Sequence, residues 1–229
     1  MRILLLIFYC DNSAVIDGVA VREAASVSFL GLKIDPDFTW NLHIDHLCSR
    51  LSSSIFSLRQ LSSFLDKDIL KTVYFGYFLS VLSYGILFWG TTSIQSLTRV
   101  FRLQKKAVRI VCGLGHRASC REVFPSEGLL TVPSLFIFSV SIYTFKHIQN
   151  FPVHNHNYHT RFKDQLLIPK HHSTKFEKSI EFLGPKIFNS LPSHIKNCKT
   201  ENSFKSKLKS FLIERAFYAI EDFFSCSCE

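Results

Sequence analysis

The sequence predicts a mainly α-helical chain, of the α+β class, with a small β element at its N-terminus. Three observations predict it. Glycine is sparse, at 9 of 229 residues, which argues against a turn-rich all-β fold. Apolar residues recur at three- and four-residue steps from residue 41 to about 149 and again from about 202. Ahead of residue 40, two β-branched runs flank Asp17-Gly18, a hairpin signal. Hydrophobic residues make up 47% of the chain, enough for a packed core, and wholesale disorder is not expected.

Each element follows from its local pattern. Residues 3–9 and 27–34 read as short strands, with the Val15-to-Val21 hairpin between them and a break at Asp35-Pro36-Asp37. The opening run Ile3 to Phe8 mimics a signal peptide. Its six apolar residues fall short of the ~7–15 of a signal h-region, and a buried strand is expected instead. From Asn41, the stripe Ile44, Leu47, Leu51, Ile55 and Leu58 defines one face of a helix. Asp66 to Trp89 is apolar around most of its circumference, so a central helix covered on several sides is expected.

A third helix runs from about Ser93 to Cys112 and stops at Gly113 and Gly115. Ser119-Cys120-Arg121-Glu122 has capping-box spacing for a short helix that Pro125 would stop. A further helix is expected from about Pro133 to Gln149. From Asn150 to Lys199 prolines recur among His and Lys, which predicts an extended, irregular stretch. An amphipathic helix from about Asn202 to Phe224, led by Phe204, Leu208, Phe211 and Leu212, closes the chain. The expected division is 1–40 for the β element, 41–150 for the helical bundle and 151–229 for the irregular region with its final helix.

The formal net charge is +9 and the pI near 9.3, which favours an anionic partner. The basic residues are not spread evenly. Arg99, Arg102, Lys106 and Arg109 are spaced three, four and three apart and share a face of the third helix, with Lys105 beside them. No Asp or Glu occurs from residue 93 to 121, so the alternating charge of an ordinary solvated helix is missing. Such a row can follow a phosphate backbone. Lys196, Lys199, Lys205, Lys207 and Lys209 do not share a face, and a diffuse solubilising zone explains them.

Other constellations carry less. The seven cysteines contain no C-x-x-C pair and read as reduced, small hydrophobes in an intracellular protein. His154, His156, His159, His171 and His172 lack cysteines at zinc-site spacing, and His43, His46 and Cys48 are explained by the apolar pattern of their helix. No metal site, bound cofactor or small-molecule substrate is expected. No nucleophile elbow, phosphate loop or dinucleotide fingerprint is present. No apolar stretch reaches the ~18 residues of a membrane span, since Gly76, Ser80, Ser83 and Gly85 interrupt Val73 to Trp89. No membrane partner is expected.

Phe8-Tyr9-Cys10-Asp11-Asn12 imitates the Tyr-x-Asp-Asp of a polymerase. There, two metal ions ~3.5–4 Å apart need paired carboxylates. Here the second Asp is Asn12, and with ten residues ahead of Asp11 no earlier strand of this chain is expected to supply a partner.

Several phrases, in order, resemble the region downstream of the catalytic palm in jockey-type non-LTR retrotransposon reverse transcriptases. They are Phe29-Leu30-Gly31-Leu32-Lys33-Ile34-Asp35 with Phe38-Thr39-Trp40-Asn41 and His43-Ile44; Tyr84-Gly85-Ile86-Leu87-Phe88-Trp89-Gly90; and Leu103 to Ile110 with Ser119-Cys120-Arg121. Tyr158 to Arg161, Gly184-Pro185-Lys186-Ile187-Phe188-Asn189-Ser190-Leu191-Pro192, Phe204 to Lys209 and Ala216-Phe217-Tyr218 follow.

The resemblance spans residues 15–224. It implies that residues 15–35 are the last palm strands, 41–113 a helical thumb that holds an RNA/DNA template–primer duplex, and 117–224 the post-polymerase region. In that family the strand near residues 3–9 lies tens of residues after the Tyr-x-Asp-Asp hairpin, a second reason to reject Asp11 as a metal ligand. The expectation is a fragment of an RNA-directed DNA polymerase without catalytic residues or activity of its own. Mg2+ belongs only to the intact parent. Residual template–primer binding falls to Arg99, Arg102, Lys105, Lys106 and Arg109. A nuclear location follows only from the family's life cycle. The alternatives are a domesticated helical protein-interaction module and a non-functional relic reading frame.

Overall fold

A computed structural model of the chain describes residues 15–16, 19–20, 24–153, 165–171 and 173–226. The expected strand at 3–9 and the Tyr9-to-Asn12 phrase lie outside the described residues, as do His154, His156, His159 and His172. The fold is mainly helical with small antiparallel pairs at its N-terminus. Strand β1 (Val15–Ile16) pairs antiparallel with β2 (Val19–Ala20), Val15 opposite Ala20; the Asp17-Gly18 turn expected between them lies outside the described residues.

The single strand expected over 27–34 is instead a second hairpin, β3 (Val27–Phe29) against β4 (Leu32–Ile34). The two residues between them, Leu30 and Gly31, both have positive φ, +48° and +79°, the geometry of a tight primed turn. The Tyr84 hydroxyl donates to the Leu30 carbonyl and holds the unusual leucine in place. The turn before the first helix is organised by Asp35. Its carboxylate accepts from the Thr39 amide and hydroxyl and from the Trp40 amide. Burial alone would raise the Asp35 pKa, but these hydrogen bonds outweigh it and hold the carboxyl below its usual range.

Helix α1 (Asn41–Leu61) buries Ile44, Leu47, Leu51, Ile55 and Leu58, the stripe read from the sequence, together with His43 and Ser54. Helix α2 (Lys67–Val73) runs through a π-helical turn (Tyr74–Leu79) into α3 (Ser80–Ser83). This segment is not covered on several sides. It buries one stripe (Leu70, Tyr74, Phe78 and Leu82), while Ile69 and Tyr77 stay 50% and 47% exposed and Phe75 and Phe88 also reach solvent. A residue pattern apolar all round predicts burial all round only if neighbours exist on every side. Here α1 and the helix over Ile94–Val111 pack on the inner face.

Gly85, at φ +64°, breaks the segment, and a Cβ there would stand 2.7 Å from the Leu32 side chain. Helix α4 (Ile86–Trp89) follows, with the Trp89 indole donating back to the Tyr84 carbonyl at 2.9 Å. Helix α5 (Ile94–Val111) lies along α1. The short α6 is Val123–Ser126, with Pro125 inside it. Ser119 accepts from the Arg121 amide in a local turn rather than capping this helix. Helix α7 (Val132–Lys146) is capped by Thr131, whose hydroxyl oxygen accepts from the Ser134 amide.

Among its described residues, the stretch expected to be irregular contains two α-helices, α8 (Ile180–Asn189) and α9 (Ser193–Lys196). Packing overrides the proline signal. Gly184 and Pro185 are buried, and a Cβ on Gly184 would stand 2.8 Å from the Thr144 hydroxyl of α7. Asn189 pairs its side-chain amide with both backbone groups of Leu166, at 3.0 and 2.8 Å, and so ties down the extended Gln165–His171 strip. The single final helix is two, α10 (Glu201–Arg215) and α11 (Ile220–Ser225). Ala216, at φ +43°, ends the first, and Asp222 accepts from the Tyr218 and Ala219 amides to start the second. This break delivers Phe217 and Phe223 to the core. One continuous core runs from Leu32 to Phe223, and α8 and α10 both pack on α7, so the chain on either side of residue 151 shares it. Among the described residues no helix is long and apolar enough to cross a membrane.

Candidate nucleic-acid interface

Helix α5 begins at Ser93, whose hydroxyl accepts from the Ser96 amide at 3.2 Å. Its inner face buries Val100, Phe101, Gln104, Ala107, Val108 and Val111. At 3.6 residues per turn, the opposite face must carry residues 99, 102, 106 and 109, with 105 at its edge. The structure brings all five basic residues to that side, and it gives them different tasks.

Arg99 reaches across to α1 and pairs with Asp45 at 2.8 Å; both side chains are more than half exposed. An exposed pair of this kind contributes little to stability, and Asp45 partly offsets the charge of Arg99. Arg109 donates its Nε to the Ala118 carbonyl at 2.8 Å and closes the loop that follows α5. Lys105 lies over two rings, 4.7 Å from the Phe101 centroid and 5.6 Å from that of Tyr218. Arg102 and Lys106 are exposed, and neither meets a carboxylate among the described residues. The freely presented charge is therefore Arg102 and Lys106, flanked by the engaged cations of Lys105 and Arg109.

One further residue joins this face. Arg121, from the loop before α6, sets its guanidinium 5.2 Å from the Tyr218 ring. Tyr218 thus gathers Lys105 of α5 and Arg121 around one ring, while Phe101 and Phe124 meet it edge-on at 4.9 and 6.2 Å. Burial pushes both the Tyr218 phenol and the neighbouring Cys120 thiol up, so the phenol stays neutral and adds no negative charge to the face. The sequence contains no local signal for Arg121, because its partner lies 97 positions away.

In the other basic zone three of the five lysines are engaged, while Lys199 and Lys209 are exposed. Lys205 pairs with Glu201, Lys196 donates to the Asn189 carbonyl at 3.0 Å, and Lys207 donates to the His194 carbonyl at 3.3 Å. His43 is buried between the Trp40 and Trp89 rings while His46 faces outward, so these two do not converge with Cys48. Among the described residues no three His, Cys, Asp or Glu side chains gather to hold a metal ion. Comparison with protein-family models, with curated proteins and with solved structures finds no match to this chain.

Proposed function

We propose that this chain is the post-palm portion of a retrotransposon-type RNA-directed DNA polymerase, and that it grips the phosphate backbone of a template–primer duplex through α5. The family part of the reading rests on the ordered phrases quoted above. The binding part rests on one observation: Arg102 and Lys106 stand exposed on one helix face with no acidic partner, inside a stretch of 29 residues (93 to 121) that holds no Asp or Glu. Backbone contact asks only for positive charge at helical spacing and is blind to base sequence. Titration of a labelled RNA–DNA hybrid across a salt series tests it. Replacing Arg99, Arg102, Lys105, Lys106 and Arg109 together by Ala is expected to weaken binding and flatten the salt slope. An unchanged slope would remove α5 from the interface.

A specific observation favours a second reading. Ile69, Phe75, Tyr77 and Phe88 form exposed apolar surface on the α2-to-α4 segment, and the β3 hairpin adds Val27, Phe29 and Leu30. A protein-interaction module would use this side, and its binding would change little with salt.

A further inference from the structure

A groove of about 360 Å³ opens beside the basic face, and backbone binding alone does not account for it. Helix α5 forms one wall, α8 and α11 the other, and Pro133 and Phe136 of α7 lie at its base. The volume is at the lower end of small-ligand sites. Two lysines frame it in the same manner. Lys105 sets its ammonium over Phe101 and Tyr218, at 4.7 and 5.6 Å. Lys186 sets its own over Phe182 and Phe224, at 5.7 and 4.9 Å. All six of these residues except Lys105 line the groove, and neither ammonium meets a carboxylate among the described residues.

The polar part of the lining offers acceptors. The hydroxyls of Thr91, Thr92 and Thr98 have each spent their hydrogen on a backbone carbonyl, those of Phe88, Thr39 and Ile94. Their oxygens are left to accept. Glu221 adds a carboxylate at the edge, and Glu177 is engaged by His171 at 3.4 Å. The groove thus combines aromatic surface, a lysine in its lining with a second over two of its rings, and a set of hydrogen-bond acceptors. A planar body with amino groups and an attached anion answers all three.

We infer that the groove takes an unpaired nucleotide from a single-stranded segment running on from the duplex held by α5. This rests on the α5 reading. Leu97, Thr98 and Phe101 of α5 line the groove, and Lys105 lies over the Phe101 ring, so a strand whose phosphates follow Arg102 and Lys106 reaches the groove along the same helix. Its bases find aromatic side chains to stack on, as in other single-strand channels, and the acceptors favour bases that carry an exocyclic amino group.

The test compares a labelled oligo(dC) with a blunt RNA–DNA hybrid of equal phosphate count, by fluorescence anisotropy at one low salt concentration. Lys186→Gln removes a groove cation, and Thr98→Trp fills the groove from its exposed wall without changing charge. Each is expected to weaken oligo(dC) binding about tenfold, the lower part of what one base–aromatic stack contributes, and to leave the hybrid within about twofold. Replacing Arg102 and Lys106 by Ala should weaken both ligands. Oligo(dC) affinity unmoved by Thr98→Trp, or loss of both ligands in equal measure, overturns the groove assignment while the α5 reading stands. It would leave the groove to the other chemistry its lining fits, an apolar peptide. Failure of the unchanged protein to bind either ligand overturns the α5 reading and the groove with it.

Discussion

Gln104 donates its side-chain amide to the Tyr74 hydroxyl at 3.1 Å in a core where both residues are fully buried. The same amide donates to the Leu130 carbonyl at 2.8 Å, and its oxygen accepts from the Val132 amide at 2.9 Å. One side chain thus joins α5 to the π turn after α2 and to the start of α7. A buried glutamine is tolerable only when its groups are paired in this way. The pairing fixes the rotation of α5, and with it the side on which Arg102 and Lys106 emerge.

Gln104→Ala leaves a carbonyl, an amide and a hydroxyl without partners in the core. We expect a loss of about 2–4 kcal/mol in urea unfolding. Tyr74→Phe removes one partner and leaves Gln104 bonded to Leu130 and Val132, so its cost should stay near ~1 kcal/mol. Equal costs for the two would show that Gln104 is not the junction.

Two glycines should respond in opposite directions to Ala. At Gly90 a Cβ would stand 2.2 Å from the Phe136 ring and 2.6 Å from the Ile86 carbonyl, so Gly90→Ala must displace α4 from α7. A loss of roughly 1–3 kcal/mol is expected, the range for overpacking. Gly76 is helical, exposed and has nothing near its missing Cβ. Gly76→Ala should stabilise by about 0.5–1 kcal/mol. Thermal unfolding of both variants decides, and destabilisation by both would contradict the local geometry.

His43 makes stability pH-dependent. Burial, followed by the charges of His46, Arg50 and Lys33, lowers its pKa from 6.5 to about 4. Its Nδ1 accepts from the Lys33 amide at 3.4 Å, which ties β4 to α1 only while the ring is neutral. The unfolded chain takes up a proton near pH 6.5 that the folded chain refuses until about pH 4. Stability should therefore decline as pH falls across that window and level off, for this residue, below it. His43→Phe should remove that part of the decline. Superimposable pH profiles for the two proteins would rule the ring out as the cause.

Arg109 and Arg102 look alike in the sequence and should behave differently. Arg109→Ala removes the bond to the Ala118 carbonyl and should cost on the order of 1 kcal/mol in chemical denaturation. Arg102→Ala, with no partner among the described residues, should stay within about 0.5 kcal/mol. The reverse ranking would mean that α5 is turned differently.

Much of this was legible in the residues. The Ile44-to-Leu58 stripe and the basic row of α5 are local periodicities, and a helix has little choice about where such residues go. What could not be read depends on partners distant in the chain. Asp45 offsets Arg99, Ala118 occupies Arg109, and Tyr218 collects Lys105 with Arg121. Those pairings reduce five candidate contacts to two freely exposed cations. The hairpin at Leu30-Gly31 was hidden because leucine rarely adopts positive φ without help, and the help is Tyr84, 54 residues on. The exposed side of α2 was hidden because an apolar pattern records what can be buried, not what is covered.

The salt dependence of duplex binding by the Arg102→Ala, Lys106→Ala double variant tests the central claim most directly. Each lost phosphate contact lowers the slope of log affinity against log salt by roughly 0.7–0.9, so the pair should lower it by about 1.4–1.8. The Asp45-paired Arg99→Ala should lower it by less, about half a unit. A double variant that binds an RNA–DNA hybrid with the unchanged protein's slope would contradict the assignment of α5 to the nucleic-acid backbone.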